Sequence, residues 1–483
     1  MDGKDQTGKV PLRHAFEGAM QQLAFDPADP RAALAQLAQI PAVFALYGAE
    51  AHAEPYIGRT PNLRARLERL LQPSPKHPRR LQLAGRVRSI VWHSTGSEFE
   101  SLLTQFSLLE EIYGAKALER MHLRSPAFVR FLGSNPYPRI TVTHRPSQRE
   151  ADWIYGPFPS RATAERYAEE MLKLFLLRRC TFDLDPDPSY PGCVYSEMKM
   201  CLAPCYKGCT DKRYGEEAAA VESFLATRGE SRLVTLRGQR EAASANLEFE
   251  SAAALHAQVQ RVESVRALAA ELVRPLSQLR AVILQASANP GEVAVFLYEN
   301  GRLSGPAQFS TLGMRIQNEQ SGSTSLFPQP MAIEPIPEAA QSEQETGKDS
   351  RSAQVIEDGS AGAKAHMDYA DFSARLKSCP DTNLFPPATS DAGDVTPAKL
   401  VRGVLESRME TALTGLADSS QTLSPTLRQG HVALLKRWYY RPEARRSGEI
   451  FFPDDEGHWP VKALLRGAGR VAAKTLTAAN RAE

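Results

Sequence analysis

Ala42-Val43-Phe44-Ala45-Leu46-Tyr47, then Tyr56-Ile57-Gly58-Arg59, then Asn62-Leu63-Arg64-Ala65-Arg66-Leu67 running on to Leu71: these three segments decide the fold. The first is an unbroken apolar run of strand length, and Pro55-Tyr56-Ile57-Gly58 reads as a second, shorter strand. The third, Asn62 to Leu71, reads as a helix. Strand, strand, helix is the beginning of a compact α/β unit. Moving outward, Arg86-Val87-Arg88-Ser89-Ile90-Val91-Trp92 alternates polar and apolar residues as a half-buried strand does. Ser97 with Glu100 three residues on is a capping box ahead of Leu102, Leu103, Leu108 and Leu109. The unit is bounded at 39–120, and residues 1–38 before it read as a helical lead-in.

Beyond it, 121–179 is a connecting α/β segment: a strand over Pro136–Thr143, a turn at Tyr155-Gly156-Pro157-Phe158-Pro159, and a helix from Arg161 to about Leu177. A cysteine cluster fills 180–209. Residues 210–275 are helical, with Ala252, Leu255, Val259, Val262, Val265, Ala269 and Leu272 at helical spacing. A β segment follows at 276–315 around the turn Glu299-Asn300-Gly301. Residues 316–398, rich in Ser, Gln, Glu, Pro, Gly and Ala, read as a disordered linker with a short helix near Met367–Leu376. The segment 399–483 is mainly helical, and the expected fold class is α+β.

The chain has 483 residues, 42% hydrophobic and 24% charged, too long for one ordinary domain and normal for a globular protein. This excludes a wholly disordered, collagen-like or membrane-embedded chain. With 58 Lys+Arg against 56 Asp+Glu the average charge says nothing about a polyanionic partner. The distribution does: from Arg59 to Arg88 there are nine Lys or Arg and one acid, Glu68. Such a stretch attracts phosphates, and it also reads as a solvated helix face. No segment approaches the roughly 18 apolar residues of a membrane span, and Met1–Met20 lacks a signal-peptide core. A cytoplasmic protein without a membrane partner is expected.

Five of the six cysteines lie in 180–209, a clustering that favours a metal or iron–sulfur centre over disulfides. Twelve residues separate Cys180 from Cys193, seven separate Cys193 from Cys201, and three separate Cys201 from Cys205. At i and i+4 of a helical turn, Cys201 and Cys205 would face one centre. Four thiolates suit zinc or a [4Fe–4S] cluster equally on ligand type. The plain alternative is four unligated core cysteines. Cys209 reads as a spare thiol.

Several segments in order resemble the GIY-YIG nuclease domain of the bacterial UvrC excinucleases and their short homologue Cho. Pro41-Ala42-Val43-Phe44 sits where the family has Pro-Gly-Val-Tyr. Tyr56-Ile57-Gly58-Arg59 and Asn62 to Leu67 match the second motif and its helix, Glu98 to Leu109 the Glu-rich helix, and Tyr155 to Pro159 a Tyr/Phe-Gly-Pro-Tyr-Pro segment. The resemblance extends to about residue 311. It implies 3′ incision of damaged double-stranded DNA in nucleotide excision repair, with UvrB as partner and UvrA upstream.

Phosphodiester hydrolysis needs a water, a base, and cations for the charge developing on phosphate. The resemblance makes Tyr56 the base, Arg66 the clamp on phosphate or water, and Arg59 the stand-in for a family Lys. Phe44 and Leu70 replace two family tyrosines. Gln105 replaces the metal-binding Glu, so Mg²⁺ or Mn²⁺ binding is expected to be weak or lost. Glu98 and Glu100 are poor substitutes, one lying two turns away and the other engaged in capping. Impaired cleavage is therefore expected, and the alternative reading is a non-catalytic DNA- and UvrB-binding module.

The cysteine set resembles that of the same family, which implies a [4Fe–4S] cluster on Cys180, Cys193, Cys201 and Cys205, with Zn²⁺ as the alternative. Asn246 to Ala253 resembles the core of the UVR motif, implying that Leu247 and Phe249 dock on UvrB. An ordinary intramolecular hairpin is the other reading there. No Asp-x-Ser-His-like entry to the family's ribonuclease H-like nuclease is found. Leu465 to Arg470 faintly echoes a DNA-binding hairpin. Lys436-Arg437-Trp438-Tyr439-Tyr440-Arg441 combines cations with stacking faces, but packing of Leu434, Leu435, Trp438 and Tyr439 on the body is the preferred reading.

Overall fold

The computed structural model describes residues 20–50, 53–72, 83–314, 397–418 and 423–479. Cys379, the helix expected near 367–376 and nearly all of the 316–398 segment lie outside them. The fold is α+β, as the sequence leads one to expect. In chain order come β1 (Gln21–Ala24), α1 (Pro30–Ala35), β2 (Ala42–Gly48), β3 (Tyr56–Thr60), α2 (Leu63–Leu71), β4 (Val87–Ser94), α3 (Glu98–Tyr113) and α4 (Ala117–Arg120). Next are β5 (Ala127–Phe131), β6 (Ile140–Thr143), β7 (Ile154–Phe158), α5 (Arg161–Leu172), α6 (Val194–Glu197), α7 (Asp211–Ala226), α8 (Glu230–Ala245), α9 (Phe249–Arg266) and β8 (Arg274–Pro275). The last are β9 (Ala281–Ala286), β10 (Glu292–Glu299), β11 (Arg302–Ser310), α10 (Pro397–Ala417), α11 (Pro425–Tyr439), β12 (Glu449–Phe451) and α12 (Val461–Ala479).

The first sheet has the order β1-β4-β2-β3, with β2 antiparallel to both neighbours. Ala42, Phe44 and Leu46 alternate onto one face and pack on Leu63, Leu67, Leu70 and Leu71 of α2. The helix starts where expected: Asn62 accepts a hydrogen bond from the Ala65 N–H at 2.9 Å. α3 starts on Ser97, which accepts from the Glu100 N–H at 3.1 Å. The Glu100 carboxylate in turn accepts from the Gly96 N–H at 2.8 Å.

The lead-in differs from the helix expected over 1–38. Its described part holds the edge strand β1, paired residue for residue with β4, and a short α1 capped by Asp29. Strand pairing here overrides the helix-prone Ala/Leu/Gln composition.

In the second sheet, ordered β6-β5-β7-β8, α5, α7, α8 and α9 contribute to one core. Tyr155 to Phe158, expected as a turn, is strand β7 instead. Tyr155 and Phe158 are both fully buried, and Pro157 sits where the ladder with β5 shifts register, the kind of position at which a strand tolerates proline. β5 is an addition to the expected elements.

The third sheet joins two regions far apart in sequence: the meander β11-β10-β9 and, antiparallel to β9, β12 of the C-terminal segment. Asn300 and Gly301 both have positive φ, as the expected tight hairpin turn demands. On one face Val282, Leu284 and Val295 meet Met409 of α10 and Leu464 and Ala468 of α12. On the other, Ile283 and Phe296 meet Leu435 and Trp438 of α11 together with Phe99 and Phe106 of α3. α3 thereby sits between the first sheet and the third.

Candidate active site

Tyr56, on the edge strand β3, and Arg66, on α2, face each other, the guanidinium Nη2 donating to the phenol oxygen at 3.3 Å. A hydroxyl beside a fixed cation is an arrangement that orients water or a phosphate oxygen. The Phe44 ring lies over Gly58 so closely that a Cβ there would come within 2.7 Å of Cζ. Its centroid is 6.2 Å from that of Tyr56. Phe44 and Leu70 are buried in the α2 core and bring no hydroxyl to this space.

Arg59 points the other way. Successive residues of a strand alternate faces, so Arg59, three positions from Tyr56, emerges on the α3 side. There it meets the Glu98 carboxylate at 3.4 Å. Glu98 also receives both prongs of Arg441, from just beyond α11, at 2.7 and 2.9 Å. These hydrogen bonds, and then the charges of Arg441, Arg59 and Arg437, hold the Glu98 carboxyl below the usual carboxylate range. Sequence reasoning missed Arg441 as a site neighbour because 343 positions separate it from Glu98.

Gln105 is half-buried on α3, two turns along the same face as Glu98, and its side chain makes no hydrogen bond among the described residues. The nearby carboxylates are committed: Glu98 to two arginines, Glu100 to the Gly96 N–H and, at 3.6 Å, to His93 Nε2. The donor set here does not fit Mg²⁺ or Mn²⁺, which are held chiefly by free carboxylates.

The cysteine loop joins α5 to α7. Cys193 is the N-cap of α6. Cys201 and Cys205 are not on one helical turn: Pro204 disfavours right-handed helix at Ala203, which takes a left-handed conformation, and Cys205 falls in a 3₁₀ turn. Cys180, Cys193 and Cys205 all lie within electrostatic reach of Cys201. Burial, then these neighbours, push the Cys201 thiol up to about 11. The Ala203 N–H donates to Cys201 Sγ at 3.3 Å, and Arg178 Nη1 to Cys180 Sγ at 3.5 Å. Arg178 is fully buried, and its Nη2 has no hydrogen-bond partner among the described residues. A buried guanidinium calls for an anion, and four thiolates around a metal centre would supply one. Among the described residues no three Cys, His, Asp or Glu side chains converge so as to hold a single metal ion.

α8 and α9 form a hairpin. Its tip exposes Leu247, 72% accessible and at positive φ, and Phe249, 67% accessible. In the C-terminal segment, Leu434, Leu435 and Trp438 are buried, so the aromatic run packs inward as preferred. The echo of a hairpin at 465–470 is not one: those residues lie inside α12, with Leu464, Ala468, Val471 and Ala472 buried at helical spacing.

No solved structure matches the chain. Residues 128–224 match the family described as "UvrC/Cho excinuclease, middle domain". The chain is 30% identical over 238 residues to UvrABC system protein C of Alcanivorax borkumensis, covering 49% of this chain and 39% of that protein. It is 27% identical over 293 residues to UvrABC system protein C of Pseudomonas fluorescens, covering 59% and 46%. The chain thus spans less than half the length of these curated relatives. Within that span the middle domain and the relatives agree: the chain carries a match to the UvrC/Cho middle domain and is similar to UvrABC system protein C over about half its own length.

Proposed function

We propose that this chain serves nucleotide excision repair as a DNA-holding, UvrB-docking protein whose GIY-YIG-like unit cuts DNA weakly or not at all. The observation that carries this reading is the state of the acids: Gln105 stands where the family's metal ligand is expected, and Glu98 and Glu100 are already bonded. Tyr56 and Arg66, joined at 3.3 Å, are left to hold a phosphate, and Arg59 adds charge from the other side of β3. The exposed Leu247 and Phe249 are the apolar anchors proposed for UvrB, matching a helix-in-groove contact.

We place a [4Fe–4S] cluster on Cys180, Cys193, Cys201 and Cys205. The buried, underpartnered Arg178 favours a thiolate centre over free thiols. The choice of an iron–sulfur cluster over zinc follows the resemblance of the cysteine set to that of the UvrC family, since thiolates suit both centres on ligand type. When bound, the centre would supply negative charge for Arg178 and tie the loop to α5 and α7.

The second reading, an active 3′ nuclease, rests on the Tyr56–Arg66 pair. Incision of a lesion-bearing duplex with UvrA, UvrB and Mn²⁺ separates the two. The native chain is expected to give no nick and Gln105→Glu to restore one at least tenfold above background. Nicking by the native chain, abolished in Tyr56→Phe, would overturn the proposal.

A further inference from the structure

Two arginines from distant parts of the chain contact one carboxylate at the rim of the first sheet, and the charge of a third reaches it. Arg59 comes from β3, and Arg441 grips Glu98 with both prongs of its guanidinium. Arg437, one turn before Arg441 and exposed, is close enough for its charge to act on the same carboxylate. Basic residues in the last turn of α11 are ordinarily explained by the helix dipole. That explanation covers Lys436 and Arg437 but not Arg441, which leaves the helix and crosses to α3. The ion pair is also accessible: Arg59 is 35%, Glu98 44% and Arg441 23% exposed, so water and solutes reach it.

We infer that Arg59, Arg437 and Arg441 form a seat for one phosphate of the DNA backbone, in which the Glu98 carboxylate is the resident counter-ion that phosphate displaces. The two-pronged grip of a guanidinium on carboxylate is the geometry it also uses on phosphate. Three positive charges around one negative charge leave the seat net positive, so a phosphate carrying its own charge gains by entering. The C-terminal segment thereby contributes directly to the DNA surface instead of only bracing the fold. The inference rests on the DNA-holding reading above, and it narrows that reading to named residues.

The test is equilibrium binding of a fluorescein-labelled undamaged duplex to the full chain over a salt series, with thermal unfolding checked for every variant. Each phosphate contact contributes roughly 0.9 to the slope of log K against log salt. Arg437→Gln/Arg441→Gln is expected to flatten the slope by about 1 and weaken binding at least fivefold at low salt. Arg437→Gln alone, a change at an exposed position, shifts the same way by less and stands in if the double variant unfolds. Glu98→Gln frees both partner arginines and is expected to tighten binding severalfold; a purely structural ion pair would make that variant bind no better. Arg402→Gln on α10 is the control and leaves the slope unchanged. An unaltered slope in the arginine variants, or weaker binding by Glu98→Gln, would overturn the inference while leaving DNA binding intact. Absence of duplex binding by the native chain would instead bring down the DNA-holding reading itself.

Discussion

His431 shows how one side chain ties the C-terminal segment to pH. It is buried on α11, accepts the Leu303 N–H at 3.1 Å through Nδ1, and lies edge-on to Phe106 with ring centroids 5.9 Å apart. Burial, then the charge of Arg302, lower it from 6.5 to about 4. Between those values the unfolded chain binds a proton that the folded chain refuses, so stability falls as pH drops from about 6.5 to about 4. The loss is on the order of 3 kcal/mol at the acid end. Urea unfolding at pH 7, 5.5 and 4.5 should show this trend, and His431→Gln should flatten it. At this scale the sequence is readable where chemistry is local. Ser97 caps the helix it is expected to cap, and Tyr56 and Arg66 are close in sequence and meet in space. The grip of Arg441 on Glu98 carries no local signal, because nothing in either neighbourhood names its partner.

Helices α3 and α11 meet at Gly430, where an added Cβ would come within 1.9 Å of Phe106 Cζ. Gly430→Ala must therefore push the helices apart, and a cost of about 1–3 kcal/mol or more is expected from thermal unfolding. The α8–α9 hairpin predicts the opposite pattern. Leu247 and Phe249 touch little of this chain, so Leu247→Asn with Phe249→Ser should change stability by about 0.5 kcal/mol or less. The same pair should weaken UvrB binding at least tenfold, measured by titration of labelled UvrB. Elements with clear periodicity and punctuation are legible in the sequence: β2, β3, β4, α2, α3 and the Asn300-Gly301 hairpin. β1 and β7 are misread for a shared reason. Their strand character comes from the neighbours they pair with, β4 and β5, and not from their own composition.

Across the whole chain, the β meander at 281–310 and the segment beyond 397 build one sheet with helices on both faces. Removing 397–483 would strip α10, α12 and β12 from Val282, Leu284 and Val295, and α11 from Ile283 and Phe296. A chain ending at 314 should bind a hydrophobic dye and lose cooperative unfolding, as shown by comparing its melting curve with that of the full chain. This long-range pairing is invisible in the sequence because β12 is only three residues long and its partner lies more than 160 positions away. It also brings Arg441 to the rim of the sheet that carries Tyr56 and Arg59. Among the described residues no helix is long and apolar enough to cross a membrane. The proposed role of this body is to hold DNA without cutting it efficiently. The most direct test saturates a labelled lesion duplex with native protein in Mn²⁺ and reads occupancy and strand breaks from the same sample. Full occupancy with intact strands is the predicted result; a nick on the 3′ side of the lesion, lost in Tyr56→Phe, would contradict it.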